Sequence, residues 1–137
     1  MTVKKLDVET GKKVDFIDIT GKIVGVLKEE GWQSGVCLVY VPHTTCALTI
    51  NENADPSVRY DIIKKLQELV PERGSYTHSE GNSDAHIKSG LLGHSVSLII
   101  EGGSLRLGTW QGIFLCEFDG PRKRQVWLTF TGDTGRP

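Results

Sequence analysis

Alternation of apolar and polar positions is the first signal in the chain. Val14-Asp15-Phe16-Ile17-Asp18-Ile19 alternates apolar and acidic residues with one exception, the period of a strand with one wet face. Thr20 is placed to cap a helix that ends near Gly31, with Ile23, Val24 and Leu27 on one side. Val36 to Val41 is a dense β-branched run that reads as a buried strand, ended by Pro42. Thr45 to Asn51 reads as a second strand, with Cys46, Leu48 and Ile50 on one face.

Asp55-Pro56 opens a helix, since Asp55 can cap and Pro56 needs no N–H partner in the first turn. Its apolar stripe is Val58, Ile62, Ile63, Leu66, Leu69 and Val70, and Pro71 stops it. A polar loop from Gly74 to Ser83 follows, then a short helix capped by Asp84, running through Leu92 and closed by Gly93. The last third is β. Val96–Glu101 and Leu105–Trp110 flank the turn Gly102-Gly103, and Gln111–Phe118 and Gln125–Thr131 flank Asp119-Gly120-Pro121 as a second hairpin. Hairpin-connected strands with two to three inserted helices predict an α+β fold with an antiparallel-rich β-sheet, helices covering one sheet face. The other face, rich in threonine and tryptophan, needs a cover, for which a partner subunit is the natural candidate.

Composition narrows the class. With 137 residues, 38% apolar and 24% charged, the chain suits a single domain over 1–137. A net charge of −1 argues against a nucleic-acid binder, so any anion site must be local. Apolar runs are too short to cross a bilayer, and the first residues lack the apolar core of a signal peptide. Cys37, Cys46 and Cys116, an odd count inside apolar stretches, read as buried free thiols. Together these predict a cytoplasmic protein with neither nucleic-acid nor membrane partners.

Candidate chemistry gathers at element ends, where folds build sites. His43 follows a strand, His78 lies in the polar loop and His86 sits in the first turn of the short helix. Three imidazoles with a vacant fourth position would suit a zinc-type site. A non-metal anion or acid–base site, and unrelated surface histidines, stay open beside it. His94, after the Gly93 helix stop, reads as a solvated or capping residue. Glu52 is either a general base or part of the turn chemistry of Asn51 to Asp55. Arg122-Lys123-Arg124 is either a phosphate clamp or a solvated hairpin tip. Gly108-Thr109-Trp110-Gln111-Gly112 is an irregular segment within β structure, and glycine there marks a bulge or close approach.

At this point the chain resembles a known family. His43-Thr44-Thr45 with Leu48-Thr49-Ile50-Asn51-Glu52-Asn53-Ala54-Asp55-Pro56 resembles its first motif. Tyr76-Thr77-His78 with Glu80-Gly81-Asn82-Ser83-Asp84-Ala85-His86-Ile87-Lys88 resembles its second. Leu91-Leu92-Gly93, Gly108-Thr109-Trp110-Gln111 and the span 117–124 resemble its third. The family is the YjbQ type, the secondary thiamine-phosphate synthases. The resemblance implies a YjbQ-like α+β sandwich, a homotrimer and a site near subunit boundaries. It implies joining of an aminopyrimidine methyl pyrophosphate to a thiazole phosphate with release of pyrophosphate, an activity weak and secondary across the family. It also implies a divalent metal, zinc or magnesium, or a sulfate-like anion on His43, His78 and His86. On that reading His43, Glu52, His86 and Gln111 are the catalytic set, and Thr44, Thr45, Arg122 and Arg124 bind the phosphorylated substrate. Two other functions compete: a non-catalytic module that binds a phosphorylated metabolite, and a metal-dependent phosphate-ester hydrolase.

Overall fold

The computed structural model describes residues 2–135. Among these residues eight strands and three helices follow one another as β1 (Val3–Glu9), β2 (Asp15–Asp18), α1 (Thr20–Glu30), β3 (Ser34–Tyr40), β4 (Cys46–Glu52), α2 (Pro56–Leu69), α3 (Ser83–Leu92), β5 (Ser95–Glu101), β6 (Ser104–Arg106), β7 (Gln111–Glu117) and β8 (Lys123–Asp133). They form two wholly antiparallel sheets, five strands in the order β1-β8-β3-β5-β6 and three in the order β2-β7-β4. The fold is α+β.

Three layers result. The inner face of the large sheet (Val8, Cys37, Val39, Leu98, Ile100, Val126, Leu128) packs against Leu48, Ile113 and Leu115 of the small sheet, with Ile23, Val26 and Leu27 of α1 closing one side. The other face of the small sheet (Phe16, Ala47, Phe114, Cys116) meets Ile62, Ile63 and Leu66 of α2 and Ala85 and Leu92 of α3. The small sheet is thus buried on both faces, which is why Gly112 to Glu117 of β7 is buried without a break. The three cysteines are buried and free.

Several sequence expectations need correction. The run at Val36–Val41 is not buried on both sides. Cys37 and Val39 face the core while Val36, Leu38 and Tyr40 face outward, because β3 is central in a sheet that carries only one packed face. Thr20 does not cap α1 with its hydroxyl. Asp18 accepts the Thr20 N–H at 2.9 Å, and Thr20 Oγ1 instead accepts the Ile113 N–H at 2.9 Å, fastening α1 to β7. Asp84 is not the cap of α3 either: Asn82 holds that position, and Asp84 is buried in an ion pair with Lys88. β6 ends at Arg106, so 107–110 lie outside the ladder. The Gly102-Gly103 turn holds as read, with both glycines at positive φ. Asp55 caps α2 through the Ser57 N–H at 2.9 Å.

The largest correction concerns β7 and β8. They are not a hairpin, because β7 lies in the small sheet and β8 in the large one. The same is true of β1 and β2, and β1 pairs with β8 as β2 pairs with β7. One bent two-stranded ribbon therefore belongs to both sheets. At its corner Gly120 N–H donates to Lys13 O at 3.0 Å and Thr10 N–H to Arg122 O at 3.0 Å. A Cβ on Gly120 would lie 2.2 Å from Lys12 O, so the backbones meet too closely there for any side chain.

Inside the corner sits a buried ion pair. Glu117, fully buried, accepts from Arg124 Nε at 2.9 Å and from Arg124 Nη2, and also from Thr10 Oγ1 at 2.7 Å and Asp119 N–H at 3.1 Å. Arg124 Nη2 donates further to Thr45 Oγ1 at 2.8 Å. Burial alone would push the Glu117 carboxyl up, but these donors outweigh it and hold it below the usual carboxylate range. Removing one partner leaves the other charge buried and alone. Glu117→Ala is expected to cost about 3–5 kcal/mol in urea unfolding. The apolar pair Glu117→Leu with Arg124→Met should recover most of that loss; a double variant no more stable than Glu117→Ala would show that the two charges are not coupled.

Candidate functional site

The corner positions two cavities. The first, about 440 Å³, is lined by Ser75, Tyr76, Thr77, His78, Ser83, His86 and Ile87. Ser83, His86 and Ile87 share a face of α3 because positions three and four apart stack on a helix. The loop from Pro71 to Asn82 folds over that face, tied by the Tyr76 hydroxyl on Pro71 O and by a turn at Gly81, whose φ is +75°. This brings His78 against His86, their ring centroids 5.5 Å apart and edge to face. Glu80 Oε2 lies 3.8 Å from His78 Nε2. Four hydroxyl-bearing residues join the imidazoles on the wall, and the N-terminal turn of α3, which has no side-chain cap bond, adds the positive end of its dipole.

The second cavity, about 470 Å³, is lined by Tyr40, Val41, Pro42, His43, Thr44, His94 and Trp127. Here β3 has ended at Tyr40 opposite Trp127, leaving the Gln125 N–H without a strand partner. His43 Nε2 takes it at 2.9 Å. A neutral imidazole has one accepting and one donating nitrogen, so Nδ1 of His43 carries the proton and is a donor. Burial lowers the pKa of His43, the Arg124 charge lowers it further, and Glu117 acts the other way.

These placements sort the sequence candidates. His78 and His86 meet as expected. His43 lines a different cavity and accepts the Gln125 N–H, so within one chain it does not join them as a ligand. Among the described residues no group of three or more His, Cys, Asp or Glu is arranged to hold a metal ion. Two imidazoles are half of a tetrahedral zinc set, and magnesium prefers oxygen, so the donors of one chain do not fit a resident metal. Arg124 is not a substrate clamp, because its guanidinium is buried and committed to Glu117 and Thr45. Thr45 is buried with it, and Thr44 remains exposed beside His43. Arg122 is half exposed, donating to Asp119 O at 2.8 Å and pairing with Asp119 Oδ2 at 3.1 Å. The same carboxylate accepts from Asn82 Nδ2 at 2.8 Å, so Arg122 stands between the start of α3 and the His43 side of the corner.

Glu52 and Gln111 are register partners at the far end of the small sheet. β4 carries Glu52 six residues from Cys46, roughly 20 Å along the strand. Gln111 Oε1 accepts the Gly108 N–H at 2.8 Å and closes the irregular segment. Within one chain neither reaches the histidines. Sequence reading also passed over three groups: the Asp84–Lys88 pair, Thr10 on Glu117, and His94, which shares the cavity of His43. The i,i+4 spacing of Asp84 and Lys88 was the available signal for the first.

The comparisons agree with the motifs. A family model described as UPF0047 protein YjbQ-like matches residues 4–133. The chain belongs to this family. Its sequence is 51% identical over 129 residues to a UPF0047 protein of Methanocaldococcus jannaschii, covering 94% of each chain. It is 47% identical to the UPF0047 protein YugU of Bacillus subtilis, covering 95% of this chain and 99% of that one. Among solved structures, a YjbQ/UPF0047 family protein from Clostridium acetobutylicum superposes with a TM-score of 0.91 at 48% identity, covering 93% of this chain and 99% of that one. A protein from Aeropyrum pernix gives 0.92 at 38% identity, covering 97% and 100%. No helix among the described residues of this YjbQ-family chain is long and apolar enough to cross a membrane.

A pH dependence follows from His43. Its folded-state pKa is lowered from 6.5, so the unfolded chain takes up the proton first as pH falls. Stability from this group is full above the unfolded value and declines as pH drops below about 6.5, until the folded value is passed. Urea midpoints measured between pH 7.5 and 5 should fall for the native chain and fall less for His43→Gln, whose amide can still accept the Gln125 N–H. Equal slopes for the two proteins would refute the assignment.

Proposed function

We propose that the chain is an enzyme of the secondary thiamine-phosphate synthase type, joining an aminopyrimidine methyl pyrophosphate to a thiazole phosphate. The observation that carries this is the edge-to-face pair of His78 and His86 over the first turn of α3, in a cavity walled by hydroxyl-bearing residues. In that reaction the thiazole nitrogen attacks the methylene carbon, and the C–O bond breaks with its electron pair going to pyrophosphate. No proton has to be removed from the nucleophile. The demand is therefore for positive charge and donors at the leaving group, which imidazoles and a helix N-terminus supply. Arg122, linked through Asp119 to the start of α3, adds a further charge at the rim. His43, a donor with an aromatic neighbour in Trp127, suits the holding of a ring rather than of phosphate. A divalent metal could join only with ligands from outside this chain, such as phosphate oxygens.

A homotrimer belongs to the same reading. Val36, Leu38, Tyr40 and Ile99 leave the outer face of the large sheet apolar and open, continuous with a shallow cavity at Val3, Leu38, Tyr40 and Trp127. A copy seated on that face would cover it and place the His43 cavity at a subunit boundary.

His86→Ala should lower turnover of the pyrimidine and thiazole phosphates at least 100-fold while leaving circular dichroism and thermal unfolding unchanged. Binding of both compounds with no product in the native protein would favour a non-catalytic module instead, and release of inorganic phosphate from simple esters would favour a hydrolase. Leu38→Glu should yield monomers in light scattering; an unchanged oligomer would remove this face from the interface.

A further inference from the structure

Helix α3 has a second chemical face. Asp84 and Lys88, four residues apart, lie on a side of the helix turned away from His86, and both are almost fully buried, side chains 4% and 2% exposed. They form one wall of a separate cavity of about 550 Å³, whose other lining residues include Lys12, Lys13, Gln67 and Glu72. Lys12 and Lys13 come from the β1–β2 crossing at the ribbon corner, and Gln67 and Glu72 from the end of α2 and the turn beyond it.

The donors and acceptors here do not balance. Lys88 Nζ has three N–H groups, of which Asp84 Oδ2 takes one at 2.8 Å. Glu72 is committed to Lys13. Both carboxylates are thus already matched to a lysine, while Lys12 has no ion-pair partner among the described residues. A buried ammonium with unfilled donors is costly unless something accepts from it. Two carboxylates, each already paired with a lysine, make no metal-holding group among the described residues; an oxyanion would find Lys12 and two N–H groups of Lys88.

We propose that this cavity is a second binding site, taking a small oxyanion of the phosphate class at Lys88 and Lys12. It is independent of the histidine cavity and lies across the same helix from it. Lys13 closes the mouth through its pair with Glu72 and becomes a third contact when that surface pair opens.

Calorimetric titration with inorganic phosphate tests this on the full chain. The native protein should bind phosphate, and Lys12→Ala with Lys13→Ala, two surface changes that leave the core intact, should weaken that binding at least tenfold. The paired change Asp84→Leu with Lys88→Met, checked for folding by circular dichroism, should abolish it. His86→Ala should leave this class of binding untouched, so failure at the histidines and failure here are separable. No phosphate binding by the native chain, full binding in the Lys12/Lys13 variant, or loss of all binding in His86→Ala would each overturn the proposal.

Discussion

The structure turns on the Glu117–Arg124 ion pair beneath the bend of a ribbon that both sheets share. A buried ion pair is a weak source of net stability, since desolvating the two charges offsets most of their attraction. Its effect here is to fix geometry. Glu117 ends β7 in the small sheet and Arg124 is the second residue of β8 in the large one, so the pair spans the corner of the ribbon. Thr10 and Thr45 bring in two further crossings, β1 to β2 and β3 to β4. Three of the six passages between sheets among the described residues thus meet at one carboxylate–guanidinium contact.

From that contact the cavities follow. Arg124 holds Thr45, which ends the 41–45 crossing that carries His43; burial and then the same charge lower the pKa of His43. Glu117 also accepts the Asp119 N–H, and Asp119 in turn grips Asn82 at the start of α3 and Arg122 at the rim. The His78–His86 pair then rests on a helix whose first residue before the helix is anchored to the corner. A site built this way is stiff at its base and open on its loop side, which suits the binding of a large anionic leaving group.

The legible and the illegible parts of this chain divide by range. Local chemistry was readable: the Asp55-Pro56 helix start, the Gly102-Gly103 turn, the α1 stop at Gly31 and the nearness of His78 to His86 all depend on residues close together in sequence. Strand β1 escaped because Leu6 and Val8 are its only strongly apolar inward positions, set among lysines and acids. The β7–β8 hairpin was misread because Asp119-Gly120-Pro121 is sound turn chemistry. What it cannot show is that Gly120 must lie against Lys12, over a hundred residues away. Arg124 looked like part of an exposed basic tip for the same reason. One residue of strand alternation turns it inward while Lys123 and Arg122 stay out. His43 shows the limit for chemistry: its residue type fits a ligand, and only the Gln125 N–H, left over where β3 ends, turns it into a donor.

Within one chain the three histidines of the motifs consequently fall into two groups. Two face each other over a helix start, where negative charge is favoured. The third stands beside tyrosine and tryptophan, held neutral by burial. A transfer that expels pyrophosphate from a carbon attached to an aromatic ring has that same division of needs, cationic at the leaving group and apolar with a single donor at the ring. On the proposed reading the two cavities would serve those needs separately, linked by the contacts of Asp119 with Asn82 and Arg122, which the buried ion pair holds in place. The same contact that bends the ribbon therefore anchors one residue at the edge of each cavity, Thr45 beside His43 and, through Asp119, Asn82 beside α3.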